Sequence, residues 1–127
     1  MAHITDKFLA SYIETALWSS TDDSGEPLDS SKYCDAELSS NTLAIFKDDC
    51  RRFEMELHKL LAPLDDLVIR SMPDHFAHDF WLTRNHHGAG FWDGDYPEPI
   101  ATQLTNLAHS FGECNLYVGD DHLIYCL

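Results

Sequence analysis

The sequence predicts an α+β domain in which an antiparallel sheet of two hairpins packs against three amphipathic helices. Two observations support this prediction. Three stretches repeat apolar residues at helical spacing, and two segments place β-prone residues on either side of a turn rich in Gly, Asn or Asp. With 127 residues, 44% of them apolar, the chain is long enough to bury one core, and we expect a single domain over residues 1–127.

The first helix is predicted to begin at Thr5 or Asp6, because a short side-chain oxygen there satisfies free backbone N–H groups. Its apolar stripe includes Leu9, Ile13 and Leu17 at helical spacing. The acidic, turn-rich segment TDDSGEPLDSSKY follows, and we expect it to form an exposed loop.

The second helix is predicted to begin near residues 39–41 and to end before Pro63. Its apolar face repeats at intervals of three and four residues through Phe46, Cys50, Phe53 and Leu57. The following segment, DDLVIRSMP, is too short for its periodicity to distinguish a strand from a helix.

The stretch from His75 to Gly94 holds two of the three tryptophans and four of the eight histidines. Residues 80–83 (FWLT) favour a strand, residues 85–90 (NHHGAG) a turn, and Phe91 and Trp92 the start of a return strand. These features predict the first hairpin.

The third helix is predicted from the spacing of Ile100, Leu104 and Phe111, with Gly112 as its C-terminal cap. Alternating apolar residues then flank a Gly-Asp-Asp-His turn at residues 119–122. This pattern predicts the second hairpin at the end of the chain.

The charge balance is strongly acidic, with 22 acids against 8 bases and a net charge of −14. Such a charge repels nucleic acid and anionic membranes and attracts basic partners over long range. We therefore expect neither direct nucleic-acid binding nor membrane association. Solubility alone explains the same charge if the acids are scattered over the surface.

The four cysteines, Cys34, Cys50, Cys114 and Cys126, show no CxxC or other metal-ligand spacing. No signal peptide and no apolar run long enough to span a bilayer is visible, so we expect a cytoplasmic protein with reduced thiols. Cys114 and Cys126 can approach each other in the final hairpin, but proximity does not establish a disulfide.

No arrangement of residues predicts an enzyme. The chain has no nucleophile elbow, no P-loop lysine and no HExxH spacing, so we expect no catalytic residues, no cofactor and no metal. The fallback metal ligands are His75, His78, His86 and His87, together with Asp79. His75 and His78 share a face only if residues 75–79 form a turn of helix.

Arg84 is the only lysine or arginine after residue 70. Across a hairpin it would pair with Asp93, or with Asp79 through a bend, and its guanidinium would stack on Trp81 or Trp92. We expect Arg84, Trp81, Trp92 and Asp93 to hold the hairpin together, in preference to a role for Arg84 in substrate binding.

Many of the acids occur as doublets. Duplex DNA carries about one negative charge per 1.7 Å of its axis, and doublets spread over a rigid surface resemble that field. The expected partner-binding surface consists of Asp22, Asp23, Glu26, Asp48, Asp49, Asp65, Asp66, Asp120 and Asp121.

Three segments carry a resemblance to a known family: YIETALWSSTDDSGEPLD (12–29), HDFWLTRNHHGAGFWD (78–93) and LYVGDDHLIY (116–125). Together they resemble a family of small acidic accessory proteins of bacteriophages and other mobile elements. The resemblance implies no enzymatic activity and no cofactor. The loop after LTRN in this family usually reads GHGAG, whereas this chain has His86 in place of the first glycine, which argues against a need for glycine's backbone freedom there.

A phage setting and a charge of −14 together predict a non-enzymatic inhibitor of the anti-CRISPR or anti-restriction type. It would act in the cytoplasm of the host bacterium and bind a basic nucleic-acid site on a host defence or DNA-processing complex. Two alternatives remain open. One is a metal-dependent phage enzyme with its site within residues 75–93, and the other is a protein-binding adaptor that uses exposed Trp81 and Trp92 as anchors.

Overall fold

A computed structural model describes residues 6–33, 36–73, 75–87 and 89–126. The α-helices are α1 (Asp6–Ser19), α2 (Ser40–Leu61), α3 (Asp66–Arg70), α4 (Phe76–Arg84) and α5 (Ile100–Ser110). The strands are β1 (Glu37–Leu38), β2 (Leu116–Val118) and β3 (Leu123–Cys126), and a 3-10 turn covers Ser31–Tyr33. The predicted α+β class is confirmed.

The three predicted amphipathic helices are present as α1, α2 and α5. Asp6 is the first residue of α1, and Thr5, the other predicted cap, lies outside the described residues. Ser39 caps α2 by accepting a hydrogen bond from the Thr42 amide at 3.1 Å. Gly112 follows α5 with a φ of 76°, a left-handed conformation that suits glycine at a helix end.

The sheet has the strand order β1-β3-β2. β2 and β3 form the predicted C-terminal hairpin, with Tyr117 opposite Tyr125, whereas β1 pairs with β3 in parallel. The expected sheet of two antiparallel hairpins is therefore wrong in detail. β1 is only two residues long, which is too short to leave a periodic signal in the sequence.

The predicted hairpin around residues 80–92 is the main correction. Residues 80–83 lie inside α4, and no strand occurs between α4 and α5 in the part of that segment that the structure describes. Seven of the nine α4 residues are buried: Ala77 and the six from Asp79 to Arg84. A helix surrounded by protein has no solvent-facing polar side and hence no helical stripe, so the sequence FWLT by itself favours a strand.

The ambiguous segment DDLVIRSMP contains the short helix α3, with Asp65 at its N-cap position. None of its residues is buried, and the Leu67 side chain is 75% exposed. The apolar residues of α3 therefore contribute little to the core.

The core is built on aromatic rings brought together by α1, α2 and α4. Phe53 of α2 stacks on Phe80 of α4 with ring centroids 4.1 Å apart, and Tyr12 of α1 meets the edge of Trp81 at 5.4 Å. These four side chains are almost completely buried. Burial of each such side chain stabilises the fold by about 1.5–3 kcal/mol, so α4 is the central helix of the molecule.

The loop after α4 returns closely over that helix. The Phe91 amide donates a hydrogen bond to Thr83 Oγ1 at 3.1 Å, and a Cβ added at Gly90 would lie 2.2 Å from the same oxygen. His86 has a φ of 57°. The backbone at this position is therefore left-handed, and histidine adopts the conformation without glycine being required.

Cys114 and Cys126 are joined by a disulfide, with their Cα atoms 5.9 Å apart. The expectation of reduced thiols is wrong for this pair, because the hairpin register places Leu116 opposite Cys126 and brings Cys114 close to it. Cys50 is a free thiol buried in the core, and Cys34 lies outside the described residues.

Candidate functional site

Arg84 is the centre of a buried polar network. Its Nη1 donates to Asp49 Oδ2 at 2.8 Å and to Tyr12 Oη at 2.9 Å. Its Nε donates to the Gly112 carbonyl at 2.8 Å, and its Nη2 to the Phe111 carbonyl at 3.1 Å. Burial alone would lower the pKa of the Arg84 guanidinium, but the interactions with Tyr12 and Asp49 outweigh it and raise that pKa overall. The network ties α4 to α1, α2 and the end of α5.

The predicted partners of Arg84 are therefore wrong. The guanidinium pairs with Asp49 rather than Asp93 or Asp79, and it lies over the rings of Phe80 and Phe111 rather than a tryptophan. The prediction assumed a β-hairpin, in which Arg84 would face the neighbouring strand. In helix α4 its side chain extends towards Asp49 of α2 instead. Arg84 is 4% exposed and makes four hydrogen bonds inside the protein, so a structural role stays a prediction.

The two tryptophans of this region differ in their surroundings. Trp81 is 1% exposed and its Nε1 donates to Ser19 Oγ at 2.8 Å, so it cannot anchor a partner. Trp92 is 55% exposed. Asp93 accepts a hydrogen bond from the Gly90 amide at 3.3 Å and stabilises the local turn.

Several acids of the expected surface have structural partners instead. Asp49 is buried, with 6% of the residue exposed, and so is not part of the surface. Asp48 pairs with Arg51 at 2.6 Å and Arg52 at 3.0 Å, and the hydrogen bond from Arg51 lowers the pKa of Asp48. Asp121 accepts hydrogen bonds from Tyr125 and from the Leu123 amide, which lower its pKa.

Asp22 organises the loop after α1. One carboxylate oxygen accepts from the amides of Ser24 and Glu26, each at 2.9 Å, and the other accepts from Lys32 and Tyr33. The hydrogen bond from Tyr33, followed by those from Ser24 and Glu26, lowers the pKa of Asp22 strongly. This acid closes a turn, and its charge is already compensated.

Four of the nine expected acids are exposed, and their carboxylates make no hydrogen bond or ion pair within the described residues: Asp23, Asp65, Asp66 and Asp120. Glu26 is half-buried. Asp95 and Glu113 were not in the expected set, but they are also exposed, and their carboxylates also make no hydrogen bond or ion pair within the described residues. Together these residues form the exposed acid set: Asp23, Asp65, Asp66, Asp95, Glu113 and Asp120.

The four histidines expected as fallback metal ligands lie in different places. His75 Nδ1 lies 2.8 Å from Asp79 Oδ2, and His78 Nδ1 lies 3.1 Å from Asp79 Oδ1. Asp79 is 3% exposed and also accepts a hydrogen bond from Tyr96 Oη at 2.7 Å. Burial, the hydrogen bond to Asp79 and the nearby charges of Asp95 and Asp93 all raise the pKa of Tyr96.

His86 stacks on His109 of α5, with ring centroids 4.5 Å apart. His87 is half-buried beside a cleft that includes Trp81 and Asn85. The four fallback ligands therefore do not converge. Only His75 and His78 meet at a shared carboxylate in the described part of the chain.

Two tyrosines that complete these clusters were not identified from the sequence. Tyr12 looked like an ordinary apolar residue that widened the stripe of the first helix. Tyr96 stands alone in the loop DGDYPEP, where no periodicity applies. Their hydrogen bonds join residues 72 and 17 positions apart, which a local pattern does not reveal.

Comparison with known proteins gives no relative for this chain. No protein-family model, curated protein or solved structure matches it. Within the described ranges, no helix is both long and apolar enough to cross a lipid bilayer.

Proposed function

We propose that this protein is a non-enzymatic inhibitor that occupies the basic nucleic-acid-binding site of a host defence or DNA-processing complex. The observation that carries the proposal is the uneven distribution of exposed charge. Seven of the eight lysines and arginines lie within residues 1–70, and the eighth, Arg84, is buried. The surface contributed by the later half of the chain therefore presents no lysine or arginine.

The same half of the chain presents many acids. Six of its acids are exposed: Asp93, Asp95, Glu98, Glu113, Asp120 and Asp121. Asp79 is buried, and Asp74 lies outside the described residues. Lys32 and Arg52 border this surface, beside Tyr117 and Phe111 respectively, but they are few against the acids. An excess of negative charge attracts a basic groove at long range and repels nucleic acid.

The exposed acid set is the contact surface that we propose. Its carboxylates have no ion pair to break within the described residues, so a basic partner pays only for their desolvation. Asp22, Asp48 and Asp49 from the original surface are less suitable, since each already has a hydrogen-bonded partner. Three members of the set lie in the later half of the chain: Asp95, Glu113 and Asp120.

The test is inhibition of DNA cleavage by purified bacterial restriction and CRISPR nucleases. We expect the protein to inhibit at least one of them, to compete with duplex DNA, and to bind less tightly as salt rises. The variant D95N/E113Q/D120N should weaken inhibition. The matched control E14Q/D48N/E56Q removes the same formal charge from α1 and α2 and should retain inhibition.

Each opposite result contradicts the proposal. Failure to inhibit any nuclease of either class would exclude the function. Equal weakening in the two triple variants would show that net charge alone matters and that the exposed acid set does not form a specific contact.

A second candidate is an adaptor that binds another protein through Trp92. The exposed Trp92 ring lines a cleft of about 240 Å³ together with Tyr96, Glu98, Ala101 and Thr105. Exposed tryptophans beside a cleft are frequent anchors of protein interfaces. This candidate predicts binding that depends on Trp92 and hardly changes with salt.

A further inference from the structure

We propose that His75, His78 and Asp79 bind a divalent transition-metal ion of the zinc type. The donor atoms of these three residues all lie within 4.8 Å of one another. The inference does not depend on the inhibitory function proposed above, because it rests on a different part of the surface and a different chemistry.

The spacing of the donors suits a small metal ion. In a tetrahedral zinc site with bonds of about 2.0–2.1 Å, neighbouring donor atoms lie about 3.3 Å apart. The two Nδ1 atoms lie 2.8 Å and 3.1 Å from oxygens of the Asp79 carboxylate. These contacts are made to different oxygens of the carboxylate, and the three donor atoms lie within 4.8 Å of one another. Rotation of the two partly exposed imidazole rings would bring the donors to the separation that one ion requires.

Helix α4 provides this geometry through its first turn. Asp79 follows His75 by four residues, so the two side chains lie on one face, and His78 is adjacent to Asp79. The side chains of His75 and His78 are 44% and 33% exposed, which leaves both rings free to adjust and lets an ion enter from solvent. Asp79 forms the buried floor.

The charge of the site favours a cation. Within the described residues, Asp79 is bonded to two imidazoles and the Tyr96 hydroxyl, and to no lysine or arginine. A buried carboxylate is costly unless it is paired with a charged group or coordinates a metal ion. A divalent ion would neutralise this charge.

Residues around the three proposed ligands hold those ligands in place, as neighbouring residues do in known metal sites. Tyr96 Oη holds the Asp79 carboxylate at 2.7 Å, and the Trp18 ring lies 5.7 Å from the His78 ring. Hydrogen bonds of this kind orient metal-ligating carboxylates. Two imidazoles with one carboxylate favour zinc, cobalt, nickel or copper over calcium and magnesium, which prefer oxygen donors. Three protein donors leave a position for water.

The main test is calorimetric titration of ZnCl2 into the tag-free full chain after treatment with a chelator. We expect one ion per chain. Loss of an outer contact typically lowers metal affinity 10–100-fold, so loss of two direct ligands in H75A/H78A should lower it by at least about 100-fold. The control H86A/H109A removes the other histidine pair and should bind zinc like the wild type.

Wild-type protein provides a second measurement that needs no substitution. Zinc should shift the imidazole NMR resonances of His75 and His78 and leave those of His86 and His109 unchanged. Cobalt in place of zinc should give a visible absorption spectrum without thiolate charge-transfer bands, since no cysteine belongs to the site.

The proposal is overturned if the wild type binds no zinc or if H75A/H78A binds it with unchanged affinity. It is also overturned if H86A/H109A is the variant that loses binding, or if zinc shifts the resonances of His86 and His109 instead. Circular dichroism of each variant shows whether it is folded, and the NMR result decides the question if H75A/H78A is not.

Discussion

Arg84 Nη1 lies 2.8 Å from Asp49 Oδ2, and this ion pair joins α4 to α2 in the interior of the protein. The same guanidinium serves three further acceptors: Tyr12 Oη and the carbonyl oxygens of Phe111 and Gly112. A buried charge with this many partners leaves several polar groups unsatisfied when it is removed. The pair is therefore important for stability.

Replacing Arg84 should destabilise the protein. Arg84→Met leaves the Asp49 charge without its buried partner and should lower the free energy of unfolding by about 3–5 kcal/mol. Arg84→Lys keeps the charge but cannot reproduce the planar fork, and it should cost at least about 1 kcal/mol. Urea denaturation measures both. Arg70→Lys at the exposed end of α3 is the control, and wild-type stability of R84K would refute this role.

Gly90→Ala should destabilise the loop that covers α4. The added methyl group would lie 2.2 Å from Thr83 Oγ1, and overpacking of this kind costs about 1–3 kcal/mol. Gly94→Ala is the matched control, because Gly94 also has a positive φ but no atom lies within 4 Å of an added Cβ. Thermal denaturation should show a larger loss for G90A. Equal losses would mean that backbone conformation alone is responsible.

Stability should fall in acid as the hydrogen-bonded carboxylates are protonated. The pKa of Asp22 is lowered from its usual value of 3.8, so the unfolded chain takes up this proton first as the pH falls. The contribution of Asp22 is complete above pH 3.8 and is lost progressively below it. Asp48 and Asp121 act in the same direction.

Melting temperatures measured from pH 7 to pH 2 test this pH dependence. Asp22→Asn should have a lower melting temperature at neutral pH and a shallower decline in acid, whereas Asp23→Asn should behave like the wild type. A decline in acid that is equally steep in D22N would show that other groups control acid stability.

Substitution of the two tryptophans should separate folding from partner binding. Trp81→Ala removes a buried ring and should cost about 3–5 kcal/mol. Trp92→Ala changes an exposed residue and should alter stability by no more than about 0.5 kcal/mol. Nuclease inhibition should persist in W92A if the exposed acid set makes the contact. Its loss in a folded W92A protein would favour the adaptor instead.

Some parts of the fold could be predicted from local sequence. The stripe through Phe46, Cys50 and Phe53 repeats at helical spacing, and Ser39 has the side chain that a helix start requires. The C-terminal hairpin could also be predicted, because alternating apolar residues flank its turn. Each of these elements has one face towards solvent, and that face is what creates a readable pattern.

The candidate site could be predicted only conditionally. His75 and His78 were expected to share a face if residues 75–79 formed a turn of helix, and that condition depended on whether α4 was a helix or a strand. Nothing in the local pattern could decide this, since the surroundings of Phe80 and Trp81 are supplied by α1 and α2. Because α4 was predicted as a strand, the predicted partner of Arg84 was also wrong: Arg84 pairs with Asp49.

The sequence by itself determined the α+β class, the three amphipathic helices, the final hairpin and the strongly negative charge. Each of these depends on composition or on residues a few positions apart. Only the tertiary structure decided that α4 is a helix, that Asp49 is buried against Arg84, and that Tyr96 holds Asp79 beside two histidines. Those features arise from contacts between distant segments, where burial and hydrogen bonding outweigh local preference.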